Sequence, residues 1–151
     1  MIGKKNVLGS NQVTQIGIVV KDIEKSSAAF AAFFGVGKPS VSITGPASET
    51  HAEFKGKPTE AKAKLTFFRF KNIVIELIEP VGSPSTWQEF LDSHGEGVHH
   101  IAFNVHDNKS KIIELEEKSV KLVQKGDYPG GMYAYLDTTD SLKVILELLG
   151  R

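Results

Sequence analysis

The sequence contains no cysteine among its 151 residues, and this absence excludes several kinds of site at once. Disulfide frameworks, thiolate-bound zinc and thiol nucleophiles all require cysteine, so His, Asp, Glu and Gln remain as candidate metal ligands. Net charge is lacking as well, because 18 Lys and Arg residues balance 18 Asp and Glu residues. A balanced charge gives no bulk attraction to nucleic acid or to an anionic membrane, so we expect neither as a partner.

Long apolar segments are also missing. No apolar run approaches the roughly 20 residues of a membrane-spanning helix, and the start MIGKKN has no secretory hydrophobic core. We therefore expect a cytoplasmic protein. Apolar residues make up 40% of the chain and charged residues 24%, a globular composition, and the length predicts one domain over residues 1–151.

The most informative feature present is a half-length repeat. The segment QIGIVVKD at 15–22 reappears as HIAFNVHD at 100–107, and IVIELI at 73–78 reappears as VILELL at 144–149. These β-branched and aliphatic segments predict buried strands. The repeat therefore predicts that both halves of the chain fold in the same way.

The predicted elements follow one order in both halves. We predict first-half strands at 13–20, 41–43, 65–70 and 73–78 around a helix at 25–34, and second-half strands at 99–105, 120–124, 132–137 and 143–149 around a helix at about 107–118. The chain thus divides into modules 13–80 and 98–149, and a helix at 85–94 links them. Glycine and proline in residues 44–64 predict a long loop in the first module only.

Each repeat carries two side chains that can bind a metal, at equivalent places. Gln15 and His100 lead the first strand of each copy, and Glu76 and Glu147 interrupt the last apolar strand of each copy. Strand alternation gives both glutamates apolar neighbours on the same face, where a carboxylate is costly unless it is paired or binds a cation. We therefore predict one shared site for a divalent metal, with the ligands Gln15, Glu76, His100 and Glu147.

Each of these residues also has an ordinary structural interpretation. A glutamate can lie on the exposed face of an edge strand, a histidine can be a hydrogen-bonded core residue, and Gln15 can be a solvated amide. Their equivalence in two repeats favours the metal site. One nitrogen and three oxygen ligands suit zinc, cobalt, nickel or manganese.

Other polar residues receive smaller roles. Alternation places His99 on the face opposite His100, so we expect His99 to be structural or to support the ligands. His51, His94 and His106 fall in predicted loops or exposed positions and receive no role. The segment GDYPGG at 126–131 predicts a turn between strands, and together with Lys57 it is a candidate lip for a substrate.

Three stretches carry a family resemblance. HGEGVHHIAF at 94–103, IELIEP at 75–80 and ILEL at 145–148 resemble the methylmalonyl-CoA epimerases of the vicinal oxygen chelate superfamily, and the resemblance covers residues 13–149. It implies an α+β fold in which two βαβββ modules form a curved mixed sheet around a central metal. It also implies ligands at the positions of Gln15, Glu76, His100 and Glu147.

The resemblance implies a metal-dependent isomerase that moves a proton next to a carbonyl through an enolate-type intermediate, with an acyl-CoA substrate. Glu147 is then both a ligand and the candidate catalytic base, and Glu76 is a candidate second catalytic residue. Epimerases usually have histidine at the position of Gln15, and glutamine there resembles glyoxalase I (lactoylglutathione lyase), which implies a thiol-adduct substrate instead. A binding protein without turnover is the third hypothesis. Superfamily members commonly dimerise, which implies a homodimer.

Overall fold

The computed structural model describes residues 6–151, so residues 1–5, which include most of the predicted polar start, lie outside the described part. The strands are β1 Gln15–Val19, β2 Ser42–Ile43, β3 Glu53–Phe54, β4 Lys57–Pro58, β5 Lys62–Arg69, β6 Val74–Val81, β7 Gly97–Val105, β8 Leu122–Tyr128, β9 Gly131–Leu136 and β10 Ile145–Gly150. The helices are α1 Ile23–Phe34, α2 Ala47–Thr50, α3 Thr86–His94, α4 Asn108–Glu117 and α5 Thr139–Leu142. Within residues 6–151, no helix is long and apolar enough to span a membrane.

The strands form one curled mixed sheet in the order β2-β5-β6-β1-β7-β10-β9-β8-β3-β4. In the first half, β1 pairs in parallel with β6, which pairs antiparallel with β5. In the second half, β7 pairs in parallel with β10, which pairs antiparallel with β9. The halves join where β1 and β7 pair antiparallel, which we call the seam. The predicted α+β fold with repeated modules is confirmed.

The repeated sequence also places the helices equivalently. Asp22 caps the start of α1 by accepting a hydrogen bond from the Lys25 amide, and Asp107 caps α4 by accepting one from the Ser110 amide. Both helices pack on the convex face of the sheet, where they contact the apolar side chains of β6 and β10. The concave face has its own apolar cluster, which includes Trp87 of α3.

The predicted long loop at 44–64 is wrong in detail, because the segment contains α2, β3 and β4, and β5 begins at Lys62. β3 pairs with β8, which lies at the opposite end of the sheet from β2. The Lys55 amide donates to the Val123 carbonyl at 2.8 Å and extends this pairing. Residues 44–61, which we call the strap, therefore cross the concave face and connect the two ends of the sheet.

The segment at 126–131 does contain the predicted turn, but the turn is shorter than expected. β8 continues to Tyr128 and β9 begins at Gly131, so only Pro129 and Gly130 lie between the paired strands. Gly130 has a φ of 93°, which favours glycine at this position. The turn leaves β8 long enough to receive β3 of the strap.

Candidate metal centre

The four predicted ligands come together at the seam. They lie on β6, β1, β7 and β10, which are four consecutive strands of the sheet. The relative exposure is 9% for Gln15, 6% for Glu76, 0% for His100 and 3% for Glu147. The interpretations of Glu76 and Glu147 as exposed edge-strand residues and of Gln15 as a solvated amide are therefore wrong. The role of the four side chains as ligands stays a prediction.

The distances between the four side chains match those of one coordination shell. His100 Nε2 is 2.9 Å from Glu147 Oε2 and 3.3 Å from Glu76 Oε2. The terminal amide atom of Gln15 that faces them is 3.2 Å from His100 Nε2, 2.9 Å from Glu147 Oε2 and 3.3 Å from Glu76 Oε2. Donor atoms held at about 2.1 Å from a single ion lie about 3.0 to 3.4 Å apart. The residues present therefore fit a divalent ion.

Either end of the Gln15 amide can occupy this position, with opposite consequences. An oxygen there faces two carboxylate oxygens, which is favourable only when a cation lies between them. An NH₂ group there donates hydrogen bonds to both carboxylates. The first orientation makes Gln15 a fourth donor to a metal, and the second makes it a partner of the carboxylates in the metal-free protein.

The charges of the cluster also favour a cation. Burial opposes protonation of His100, but the neighbouring Glu147 and Glu76 outweigh it and raise the pKa to about 10. Burial raises the pKa of Glu76. Its hydrogen bond to His100 opposes this rise, and the negative charge of Glu147 adds to it. With both carboxyl groups ionised, one imidazolium leaves one excess negative charge in a buried site. A divalent ion that replaces the imidazolium proton makes the cluster neutral.

His99 contacts His100 directly, contrary to the predicted placement on opposite faces. Gly17 pairs with His100 but Ile18 pairs with Val98, so His99 is the extra residue of a β-bulge and the alternation breaks there. Both imidazole rings lie 5.1 Å from the ring of Tyr135. The predicted supporting position of His99 thus arises from an irregularity in β7.

The contact between the two histidines can fix the tautomer of His100. Their Nδ1 atoms are 2.9 Å apart, and burial lowers the pKa of His99 well below its usual value, so His99 is neutral. When His100 Nδ1–H donates to His99, His100 Nε2 keeps its lone pair for the cluster. That arrangement puts the proton of His99 on Nε2, a buried atom, and a hydrogen bond to the backbone of Thr86 favours protonation of this ring.

Gly17 makes room for the His100 ring. It pairs with both Glu76 and His100, and a Cβ atom at Gly17 would overlap the imidazole. A glycine inside a strand commonly marks a close approach of this kind. The repeat carries a signal for it that we did not use, because the equivalent position in the second copy is Ala102.

The cluster forms part of the floor of a cavity of about 810 Å³. Leu65 and Phe67 of β5, Tyr133 of β9 and Trp87 form walls, and the strap forms the roof. Residues 127–129 of the candidate lip line the cavity. Lys57 lies on β4 and is not among the described residues that line it, and the lip itself stays a prediction.

Sequence reasoning missed two tyrosines of this cavity. Tyr135 pairs with Glu147 across β9 and β10, and its hydroxyl accepts a hydrogen bond from Trp87 Nε1 at 3.0 Å. The Tyr133 hydroxyl accepts from Gln124 Nε2 at 3.1 Å, and burial raises the pKa of Tyr133 to about 12. Tyr133 therefore keeps a proton that it can donate. Alternation along the predicted strand 132–137 could have placed both rings on the face shared with Glu147.

Comparison with known families agrees with this geometry. The model of the Glyoxalase/Bleomycin resistance protein/Dioxygenase superfamily matches residues 14–135. The chain belongs to this superfamily. A curated relative, the uncharacterized protein YqjC of Bacillus subtilis (strain 168), is 29% identical over 92 residues, which cover 59% of this chain and 66% of that protein. This chain thus spans slightly less than two thirds of the length of YqjC.

Solved structures show the same fold. The hypothetical protein BH1468 from Bacillus halodurans C-125 superposes with a TM-score of 0.64 at 25% identity, covering 94% of this chain and 95% of that one. A Streptomyces coelicolor methylmalonyl-CoA epimerase variant in complex with 2-nitronate-propionyl-CoA superposes with a TM-score of 0.63 at 21% identity, covering 92% of this chain and 96% of that one. The epimerase likeness, at this identity, is one of fold.

Proposed function

We propose that this superfamily member is a metal-dependent isomerase that moves a proton on a carbon next to a carbonyl, in the manner of methylmalonyl-CoA epimerase. The observation that carries the proposal is the cluster of Gln15, Glu76, His100 and Glu147, whose donor atoms are spaced for one ion. Gln15 and both glutamates also line the cavity, so a ligand in the cavity can reach the cluster. The proposed ion is zinc, cobalt, nickel or manganese.

The proposed roles of the side chains follow from their positions. The bound ion would supply Lewis-acid polarisation of the substrate carbonyl. Glu147 is the proposed base, because its buried carboxylate lines the cavity and can accept a proton from the adjacent carbon. Glu76 approaches from the other half of the molecule and is the proposed second acid or base. Tyr133, which holds its proton to high pH, is the third group that can donate one.

A second candidate reaction uses the same proton movement. The neutral amide of Gln15, with two glutamates and one histidine, resembles the ligand set of glyoxalase I, which favours a lyase acting on a thiol adduct. A binding protein without turnover is the alternative outside enzymes. The buried carboxylate pair beside the cavity supports an enzyme, because a pure binding site gains little from two such groups.

Hydrogen exchange separates these three functions. The protein, loaded in turn with each of the four metals, is incubated in deuterium oxide with methylmalonyl-CoA, the methylglyoxal–glutathione hemithioacetal or the neutral hydroxyketone phenylacetylcarbinol. Deuterium on the carbon next to the carbonyl is followed by mass spectrometry and NMR. We expect exchange on at least one of these three compounds. This exchange should require the bound metal, and Glu147→Gln should abolish it.

The other outcomes are equally decisive. Formation of a lactoyl thioester from the hemithioacetal selects the lyase. Metal-loaded protein that exchanges hydrogen on none of the compounds, but retains an organic ligand through purification, contradicts the isomerase and selects the binding protein. A homodimer and a cytoplasmic location stay predictions, to be tested by light scattering and by fractionation of cells.

A further inference from the structure

We infer that the substrate of this site is an uncharged, largely apolar carbonyl compound, with aromatic or branched groups in the cavity, and not an acyl-CoA or a glutathione adduct. The inference rests on the proposed function, because it concerns the molecule whose oxygens would meet the ion. It is carried by the charge and the shape of the cavity, which differ from what an anionic substrate requires.

The cavity has no cationic side chain on its walls. Among the described residues, those that line it include no lysine or arginine, and its four charged residues are all acids. Glu76 and Glu147 belong to the cluster, while Glu49 lies on the strap and Asp127 at the outer end of β8. Two side chains that can be cationic lie beside this lining and not in it: His51 is 2.9 Å from Asp127 Oδ2, and Arg151 donates to the Gly130 carbonyl. An anionic group beyond the ion would therefore meet mainly carboxylates on the cavity walls, which is unfavourable in a partly buried site.

Lys57 also belongs to the strap, where it is exposed and is not among the described residues that line the cavity. Two other lysines at the strap are paired with carboxylates. Lys55 of the strap is 3.0 Å from Glu89 Oε2, and Lys125 of β8 is 3.2 Å from Glu53 Oε2. Both ion pairs join the strap to the rest of the molecule. The phosphates of coenzyme A and the carboxylates of glutathione need cations at the cavity mouth. Here the lining supplies the acids Glu49 and Asp127 instead, and Asp127 is 2.9 Å from the ring of His51.

The walls instead suit an apolar body. Five aromatic side chains line the cavity: Phe67, Trp87, Tyr128, Tyr133 and Tyr135. The rings of Trp87 and Tyr133 lie 6.1 Å apart, within the range of aromatic packing. The volume of about 810 Å³ accommodates a compound of the size of a small drug, which gains affinity from apolar surface and orientation from a few polar groups.

Three hydroxamic acids test the charge and the shape separately. Each binds a divalent ion through two neighbouring oxygens, so differences among them report on the body of the ligand. Affinities of acetohydroxamic, benzohydroxamic and para-carboxybenzohydroxamic acid for the cobalt-loaded protein are measured by visible absorption and calorimetry. We expect benzohydroxamic acid to bind at least about tenfold more tightly than acetohydroxamic acid, and the para-carboxy compound at least about tenfold more weakly than benzohydroxamic acid.

A charge reversal on the strap provides the matched variant. Glu49 is exposed and lines the cavity, while Glu60 is exposed, lies on the same strap and does not line it. Glu49→Lys should improve binding of the para-carboxy compound by about tenfold relative to benzohydroxamic acid. Glu60→Lys carries the same change in net charge and should leave the ratio of the two affinities unchanged.

The result overturns the inference if the para-carboxy compound binds unmodified protein as tightly as benzohydroxamic acid, or if none of the three compounds binds the loaded protein. Equal effects of both lysine substitutions also overturn it. These measurements need no turnover, so they stand apart from the hydrogen exchange that tests the proposed function. Exchange with methylmalonyl-CoA but not with phenylacetylcarbinol would support the isomerase and reject this substrate class.

Discussion

The two halves of this chain share one plan and differ in how they serve the site. Each half supplies a polar residue on its first strand and a glutamate on its last strand, on equivalent strands of the sheet. The first half offers the neutral amide of Gln15, and the second half offers the imidazole of His100. Around His100 the second half has a bulge at His99, and Gly17 across the seam lacks a side chain.

These differences indicate that the two halves contribute different parts of the site. The second half holds His100, the bulkier and more basic of the proposed ligands, and His99, which contacts it. The first half has no side chain at Gly17 and contributes the strap that forms the roof of the cavity. Duplication therefore accounts for where the proposed ligands lie, and the departures from the repeat account for their different chemistry and for the cover of the cavity. Five experiments test this comparison.

The largest effect is expected from the glutamates. Glu147→Ala should reduce hydrogen exchange next to the carbonyl by about 10³-fold or more, because it removes the proposed base. Glu76→Ala should cause a smaller loss if only the second half supplies the base, and an equal loss if both halves act alike. Exchange rates are measured at saturating metal, and wild-type exchange in metal-loaded Glu147→Ala would exclude Glu147 as the base.

The next largest effect is expected from substitutions of His100 and Gln15. His100→Ala should weaken metal binding by about 100-fold or more, because it removes the only nitrogen donor of the cluster. Gln15→Ala removes a neutral oxygen and should cost about tenfold. Equilibrium dialysis with elemental analysis gives both affinities. Unchanged metal content in His100→Ala would exclude His100 as a ligand.

A substitution at Gly17 tests whether the first half must lack a side chain there to make room for the His100 ring. Gly17→Ala places a methyl group in the His100 ring, so we expect a loss of about 1 to 3 kcal/mol in unfolding free energy, together with weaker metal binding. Gly37→Ala is the matched control, because a Cβ at Gly37 has no heavy atom within 4 Å and its φ is not in the left-handed region. Denaturant unfolding of the two variants makes the comparison. Equal stabilities would show that the His100 ring can move aside at little cost.

His99 tests the orientation of His100. His99→Leu removes the acceptor for His100 Nδ1–H and should weaken metal binding by about 10- to 100-fold. His99→Asn retains an acceptor close to the ring position and should recover part of that loss. The visible spectrum of the cobalt-loaded variants reports the coordination directly. A spectrum and an affinity unchanged in His99→Leu would show that the contact between the histidines does not position the ligand.

Removal of the strap should have the smallest effect on metal affinity, but it should strongly affect which organic ligands bind in the cavity. Replacing residues 46–60 with a short Gly-Ser linker makes the first half resemble the second, in which no such segment is present among the described residues. Because the strap supplies none of the four donors, we expect metal affinity within about threefold of the parent chain. Discrimination among the three hydroxamic acids should largely disappear. A large loss of metal binding would show that the strap also holds the seam together.

The repeat was enough to predict that both halves fold alike and that Gln15, Glu76, His100 and Glu147 meet, because strand alternation and equivalent positions can be read from the sequence. The curved sheet itself was implied by the family resemblance. Alternation failed at His99, since a bulge depends on the register between β1 and β7 and leaves no mark on either strand alone. The strap was missed for a similar reason. The pairing of Glu53 with Lys125 joins residues far apart in sequence, and two-residue strands carry no periodicity.

The antiparallel seam has a consequence for the geometry of any reaction at the cluster. Two copies of one unit that meet through antiparallel neighbouring strands are related by an approximate twofold rotation, so like groups reach a central molecule from opposite directions. Glu76 and Glu147 are one such pair, and their carboxylates converge on a single point beside His100 Nε2, at 3.3 Å and 2.9 Å from it. Whatever binds at that point is held from both copies at once, so its binding would tie the two halves together across the seam.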